Sequence, residues 1–349
     1  MKYSIIVPVF NRPDEVDELL QSLCSQKLKD FEVIIVEDGS TIPCKDVCDK
    51  YANILGLHYY NKENSGPGQS RNYGAERAKG DWLIVLDSDV VLPEEYLSSV
   101  ECRVESQLAA WGGSDASHPS FTPVQKAISY SMTSFFTTGG IRGGKGKKLD
   151  KFFPRSYNMG IRREVYQELG GFSKMRFGED IDFSYRIVEA GYKTALIPEA
   201  WVWHKRRTDF RKFFRQVYNS GIARINLEKR HPGTLKLVHL LPTVFTVGVI
   251  GLLMLFLCGL ALFFFSPDHM SAAFGFAVCE LSLIPIILYS ILLFLDSSIR
   301  NLNPWVGLLS IPAAFTQLMG YGLGFIESWW KRCILKQDEF TAFEKNFYK

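Results

Sequence analysis

The sequence predicts an α/β protein: an open, doubly wound sheet followed by a basic amphipathic helix and about three transmembrane helices. Three observations lead there. Apolar, β-branched runs at 3–9, 31–36, 57–60 and 82–86 alternate with helical stretches. Charge changes in blocks along the 349 residues: 1–200 carries 24 basic and 28 acidic residues, 201–236 carries 10 and 2, and 237–326 carries only 1 and 3. Within that last block 240–265, 272–295 and 305–326 are each long enough to cross a hydrocarbon layer of about 30 Å at ~1.5 Å per residue. The expected divisions are therefore an α/β domain over 1–204, a connector over 205–236, an apolar region over 237–326 and a tail over 327–349. A chain that is 47% hydrophobic and 22% charged is too apolar for disorder and too charged to lie wholly in lipid.

Each element has a local reason. The first run, Tyr3 to Val9, suits a strand covered on both faces, and Pro8 with Asn11 and Arg12 after it rules out a secretory leader. Pro13 opens a helix striped by Val16, Leu19, Leu20 and Leu23, and Pro67 opens another that closes by Gly80. From Ser114 to Arg155 the alternation gives way to Ser, Thr, Pro and Gly with Lys145, Lys147 and Lys148, which predicts a long basic loop. Gly139, Gly144 and Lys145 imitate a phosphate loop, but Gly146 replaces the required Ser or Thr. In the connector Phe210, Phe213, Phe214, Val217 and Tyr218 alternate with Arg211, Lys212 and Arg215. That pattern fits a helix at a headgroup surface, or a packed helix with a solvated basic side.

The basic stretch before the first apolar segment places the first domain on the cytoplasmic side of the inner membrane. A third crossing would put Lys331, Arg332 and Lys336 outside, against that rule; Pro312, Gly320, Gly322 and Gly324 keep open a broken or re-entrant third segment. Glu280, inside the second span, calls for water, a partner or a proton, or lies near the headgroups. The seven cysteines are read as reduced, with Cys44 and Cys48 a helical pair.

In an open α/β sheet the ligand site belongs at the carboxyl ends of the strands. After the fourth strand stands Asp87-Ser88-Asp89, two carboxylates of the kind that hold Mg²⁺ or Mn²⁺ while substrate phosphates complete the shell. Asp180-Ile181-Asp182 matches the same pattern, but in a helix residues two apart do not share a face. Glu37-Asp38-Gly39-Ser40 follows the second strand, where an acid can accept hydrogen bonds from a base or ribose; the bland alternative is a turn or cap. Arg71 sits one helical turn past Gly66-Pro67-Gly68, facing phosphate or else forming a surface salt bridge. A carboxylate among Glu179, Asp180 and Asp182 placed beside a diphosphate is suited to general-base work or else caps a helix, and His204 is a candidate third metal ligand or a structural histidine.

Taken together, Ile6-Val7-Pro8-Val9-Phe10-Asn11, Glu37 to Ser40, Gly66 through Arg71-Asn72-Tyr73-Gly74, Asp87-Ser88-Asp89, Gly170-Gly171-Phe172 and Gly178-Glu179-Asp180 resemble the family-2 glycosyltransferases in order and spacing, over about residues 1–204. The resemblance implies a GT-A fold, a nucleotide-diphosphate sugar donor, a divalent cation and inversion at the anomeric carbon. It implies that Pro8, Asn11, Asp38, Arg71 and Asp87 surround the nucleotide, that Asp89 holds the metal and that Asp180 is the base; beside that, His204 is kept as a candidate metal ligand, and Glu179 and Asn158 are expected near the donor sugar or acceptor. Glu37 stands where the family usually has Asp. The Gln-x-x-Arg-Trp motif of processive synthases is missing, since Gln216 is followed by Val217-Tyr218-Asn219-Ser220, which argues for single sugar transfer.

The expected partners are thus the sugar nucleotide, a lipid-linked or glycan acceptor and membrane lipids, with no nucleic acid. A polyprenyl-phosphate sugar synthase and a catalytically silent sugar-nucleotide-binding scaffold remain alternative readings.

Overall fold

The computed structural model describes residues 1–116, 118, 120–138, 152–205 and 209–342, so Lys145, Lys147, Lys148 and the phosphate-loop imitation lie outside the described residues. In chain order the elements are β1 (Tyr3–Val9), α1 (Pro13–Cys24), β2 (Phe31–Asp38), α2 (Lys45–Tyr51), β3 (Leu57–Lys62), α3 (Pro67–Ala75), β4 (Trp82–Leu86), β5 (Val90–Val91), α4 (Tyr96–Arg103) and β6 (Ala110–Ala116). Then come α5 (Pro123–Thr133), α6 (Phe135–Thr138), β7 (Asn158–Arg162), α7 (Arg163–Glu168), α8 (Glu179–Glu189), β8 (Thr194–His204), α9 (Phe210–Arg230), α10 (Leu241–Phe265), α11 (His269–Asn301) and α12 (Pro304–Trp329).

Two compact units divide the chain. One comprises Met1–Pro119 with Gly143–Lys205, the other Ser120–Arg142 with Arg206–Lys349. The first is built on an eight-stranded sheet of order β3-β2-β1-β4-β7-β6-β8-β5. The four runs legible in the sequence form its parallel half, since β2 and β4 flank β1 and β3 pairs with β2, all parallel. Both faces are covered. Ile5, Val7, Val33 and Ile35 pack with Leu19, Leu20 and Leu23 of α1 on one side, and Ile6, Ile34, Val36 and Val85 pack with Phe172, Phe183 and Ile187 on the other.

The sheet then turns mixed: β7 runs antiparallel to β4 and to β6, and β8 lies parallel to β6. β6 carries two adjacent glycines and β7 is only five residues long, so both lack the continuous β-branched signature of the first four. Gly160 is needed for the layer to close, because a Cβ there would lie 2.1 Å from the Trp111 ring.

The second unit departs from the sequence expectation between 120 and 138, where a loop was expected and α5 and α6 are found. A capping box, in which the Thr122 hydroxyl accepts from Gln125 N–H and the Gln125 side chain accepts from Thr122 N–H, starts α5 with Pro123 in its first turn. Its apolar residues serve this unit: Ile128 and Met132 pack with Phe213 and Val217 of α9, and Ala127 packs with Val306 and Ala313 of α12. The aromatic side of α9 is therefore covered by protein, while Arg211, Lys212, Lys229 and Arg230 stay exposed. Three helical segments, Leu237–Phe265, His269–Asn301 and Pro304–Ile334, are long and apolar enough to cross a membrane. Glu280 is exposed on α11.

Candidate active site

The polar residues after each parallel strand gather at one end of the first unit's sheet. β4 stops at Leu86, Asp87-Ser88-Asp89 follow as a turn, and the two-residue β5 pairs antiparallel with β8 so that Val90 faces His204. That register delivers a residue 115 positions away to the second aspartate. His204 Nε2 lies 3.2 Å from Asp89 Oδ1, and the Tyr157 ring stacks on the imidazole at 5.0 Å and 19°. One donor atom from each of Asp87, Asp89 and His204 falls within 4.8 Å of the others. Two ligands at right angles, each ~2.1 Å from an octahedral cation, would be about 3 Å apart, so this set could hold a divalent cation.

Arg12, which the sequence did not single out, stands on the other side of Asp89, its Nη1 3.3 Å from Oδ2 and 2.6 Å from Glu15 Oε2. Burial works against the guanidinium's charge, yet Asp89, Glu15 and Asp87 together raise its pKa. Burial also pushes the Glu15 carboxyl upward, against the pull of Arg12. Arg12 belongs to the loop between β1 and α1, and nothing in its local sequence signals a partner 77 residues on.

Arg71 is neither on the surface nor open to the cleft. It is 3% exposed and holds two acids at once, Nη2 donating to Asp87 Oδ1 at 2.8 Å and Nη1 to Glu179 Oε1 at 2.9 Å. The Phe172 ring covers it, 5.3 Å from the guanidinium carbon. Burial raises the Glu179 pKa to about 7, with Arg71 opposing and the neighbouring Asp180 adding to the rise.

Glu179 and Asp180 open α8, whose N-cap Gly178 is in the left-handed region at φ 85°. Asp180 is partly exposed, and Arg155 Nη1 lies 3.5 Å from its Oδ2. The preceding Gly170-Gly171-Phe172 turn is locked to α3: Asn72 Nδ2 donates to Phe172 O and Phe172 N–H donates to Asn72 Oδ1, both at 2.8 Å.

Across the β1–β2 end, Asp38 is 4% exposed and organises the loop before α3. Its Oδ1 accepts from Lys62 Nζ and Ser65 N–H, and its Oδ2 from Gly66 N–H at 2.9 Å. Glu37 is fully buried beside Tyr59 and accepts the Cys44 N–H at 2.8 Å. Asn11, at φ 55°, uses its Oδ1 to accept the Thr41 and Ile42 N–H groups. Pro8 faces Val36 in the β1–β2 register. Asn158 sits opposite Leu86, one residue before Asp87, fully buried with Oδ1 accepting from Tyr96 and Nδ2 donating to Ala200 O.

Thus Asp87, Asp89 and His204 converge, and Asp87 is joined through Arg71 to Glu179, the neighbour of Asp180. Lys62, Arg12, Arg155 and Tyr157 complete the surroundings without having carried a motif.

Comparison with known proteins places the first half of the chain. The model for Glycosyl transferase family 2 matches residues 4–170. Residues 4–170 thus match the family-2 glycosyltransferase domain. The fold is GT-A: a mannosyltransferase from Pyrobaculum calidifontis, solved with GDP-Man and Mn²⁺, superposes with a TM-score of 0.56 at 15% identity, covering 95% of this chain and 88% of that one. Among curated relatives, the poly(ribitol-phosphate) beta-N-acetylglucosaminyltransferase TarS of Staphylococcus aureus is 35% identical over 109 residues, 30% of this chain and 19% of TarS. The pre-mycofactocin glycosyltransferase of Mycobacterium tuberculosis is 26% identical over 253 residues, 66% of this chain and 48% of that protein. The chain thus spans between about a fifth and a half of the length of these two relatives.

Proposed function

We propose that this family-2 chain is a membrane-anchored, inverting hexosyltransferase that moves one sugar from a nucleotide-diphosphate donor to a lipid-linked or glycan acceptor. Asp180 is its general base. The observation carrying this reading is the Asp87–Arg71–Glu179 bridge, centred on the buried Arg71, which ties the acidic turn after β4 to the first turn of α8 that holds Asp180. A fixed spacing between the diphosphate end and the base is what in-line displacement needs.

Asp87, Asp89 and His204 would hold Mg²⁺ or Mn²⁺, and the cation would supply charge neutralisation to the departing nucleoside diphosphate. Asp180 takes the acceptor hydroxyl proton as that oxygen bonds to the anomeric carbon, while the bond from that carbon to the diphosphate oxygen breaks. Asp38 shapes the loop beneath the nucleotide through the Ser65 and Gly66 amides, and Pro8 and Asn11 line the same rim. The neighbour captured with GDP-Man and Mn²⁺ is consistent with this donor class. The catalytic unit faces the cytoplasm, as the basic connector favours.

A thermal-shift panel of sugar nucleotides with and without Mn²⁺ tests the reading. We expect one donor to stabilise the protein only with the ion, and Asp89→Asn to erase that difference. Stabilisation by no donor, together with no transfer from any, would sink it. A lipid monophosphate acceptor is the second reading, favoured by Arg155 beside Asp180. Such an acceptor is already ionised, so its transfer would survive Asp180→Asn.

A further inference from the structure

α10 and α11 form an antiparallel hairpin. Gly259 and Gly275 meet at backbone distance, Phe245 packs on Tyr289 at 5.4 Å, and only Ser266, Pro267 and Asp268 join the helices. The start of α10 and the end of α11 therefore share one side of any bilayer they cross. α12 begins at that same end, capped by Asn303, with Gly307 against Ser298 and the Ser297 and Ser310 hydroxyls paired at 2.6 Å.

A third crossing would carry the second half of α12 toward the far end of the hairpin. Its named contacts instead stay at the near end. Phe315 packs on Phe245 and on Tyr289 of α11, the Thr246 hydroxyl reaches Leu318 O at 3.4 Å, and a Cβ on Gly322 would strike Pro242 O and Thr246; Pro242, Phe245 and Thr246 all lie in the first two turns of α10.

From there α12 runs alongside α9 in the same direction. Gly320 lies against Phe214 and Val217, Gly324 against Tyr218 O, Gly221 against Tyr321 O and Phe325, the Ser328 hydroxyl on Ile222 O, and Arg332 Nε on Asn226 Oδ1. The small residues Gly320, Gly324 and Ser328, four apart, let the two backbones approach. But α9 cannot stand in hydrocarbon. Arg211 and Lys212 are exposed at its start, Lys229 and Arg230 at its end, and Arg215 and Arg224 lie between. A helix paired with α9 over this length shares its depth. The following segment returns as well: Asn219 exchanges both amide hydrogen bonds with Ala342, and Arg230 holds Glu339. In keeping with that placement, 44% of the most apolar stretch of the third segment is covered by protein, against 11% for each of the first two.

We infer that α12 does not cross the bilayer but lies with α9 in the boundary layer of the leaflet where α10 begins, so that the chain crosses twice and α9 and α12 form a platform fitted to a lipid surface. Lys331, Arg332 and Lys336 then stay on the same side as the connector, as the positive-inside rule asks. The inference is independent of the proposed chemistry.

The exposed native Cys333 makes the test direct. The full-length protein in sealed vesicles, right-side-out and inverted, is treated with a membrane-impermeant maleimide, and labelling is read peptide by peptide, so no cysteine need be removed. Lys236→Cys, in the turn before α10, and Ser266→Cys, between α10 and α11, mark the two sides. Cys333 is expected to label in the same vesicles as Lys236→Cys and to lose its label in those where Ser266→Cys reacts. Labelling of Cys333 together with Ser266→Cys would overturn the inference.

Discussion

Removing the Arg71 guanidinium would leave the Asp87 and Glu179 carboxylates bridged by nothing, one of them buried. Breaking one partner of a buried ion pair costs about 3–5 kcal/mol, so Arg71→Met should lower the unfolding midpoint steeply in denaturant titrations, with Arg71→Lys recovering part of the loss. Asp180→Asn acts differently, because that side chain is partly exposed and its proposed work is chemical. Turnover should fall by about 10² to 10⁴ while calorimetry finds donor affinity unchanged. Glu179 gives a pH signature. Its unfolded carboxyl loses its proton near the ordinary 4.5, whereas the buried one keeps it to about 7. The folded state therefore binds more protons across that window, and stability falls as pH climbs through it. Glu179→Gln should flatten that slope in melts taken between pH 4.5 and 7.5. At this scale the sequence supplied the residue types and their strand-end positions, including His204. It could not supply the partners of Arg71, which are 16 and 108 residues away.

The turn Gly170-Gly171-Phe172 shows how one element fixes another. Gly171 has φ 65°, and a Cβ on it would lie 2.5 Å from Asn72 Oδ1 and 2.7 Å from the Tyr166 ring. Gly171→Ala therefore combines a left-handed backbone with a clash and should cost about 1–3 kcal/mol, read as a lowered melting temperature and weaker donor binding, since the same turn covers Arg71. The parallel strands were legible because both faces are buried and the run of apolar residues is continuous. α5 was not. Its serines suggest a loop, and its apolar residues find their purpose only against α9 and α12, which follow it by more than seventy residues.

Considered whole, the chain interleaves its two units, since 120–142 leaves the catalytic unit and joins the apolar one. A truncation ending at Lys205 keeps α5 but removes the helices that cover Ile128 and Met132. That fragment should associate in size-exclusion chromatography, and Ile128→Ser with Met132→Ser should return it toward a monomer, because exposed apolar patches drive association. The expected boundary at 204 rested on the change in charge, and charge reports where water is, not which helix fills which groove.

The sequence by itself determined the four strands of the parallel half, the acidic turn after the fourth of them, the family resemblance and the apolar helices. Each of these is written in neighbouring residues through period, propensity and composition. Only the tertiary structure decided that Arg12 flanks Asp89, that the buried Arg71 binds two acids, and that α12 keeps company with charged α9. Those are matters of register and close approach between segments distant in the chain, and no local pattern carries them.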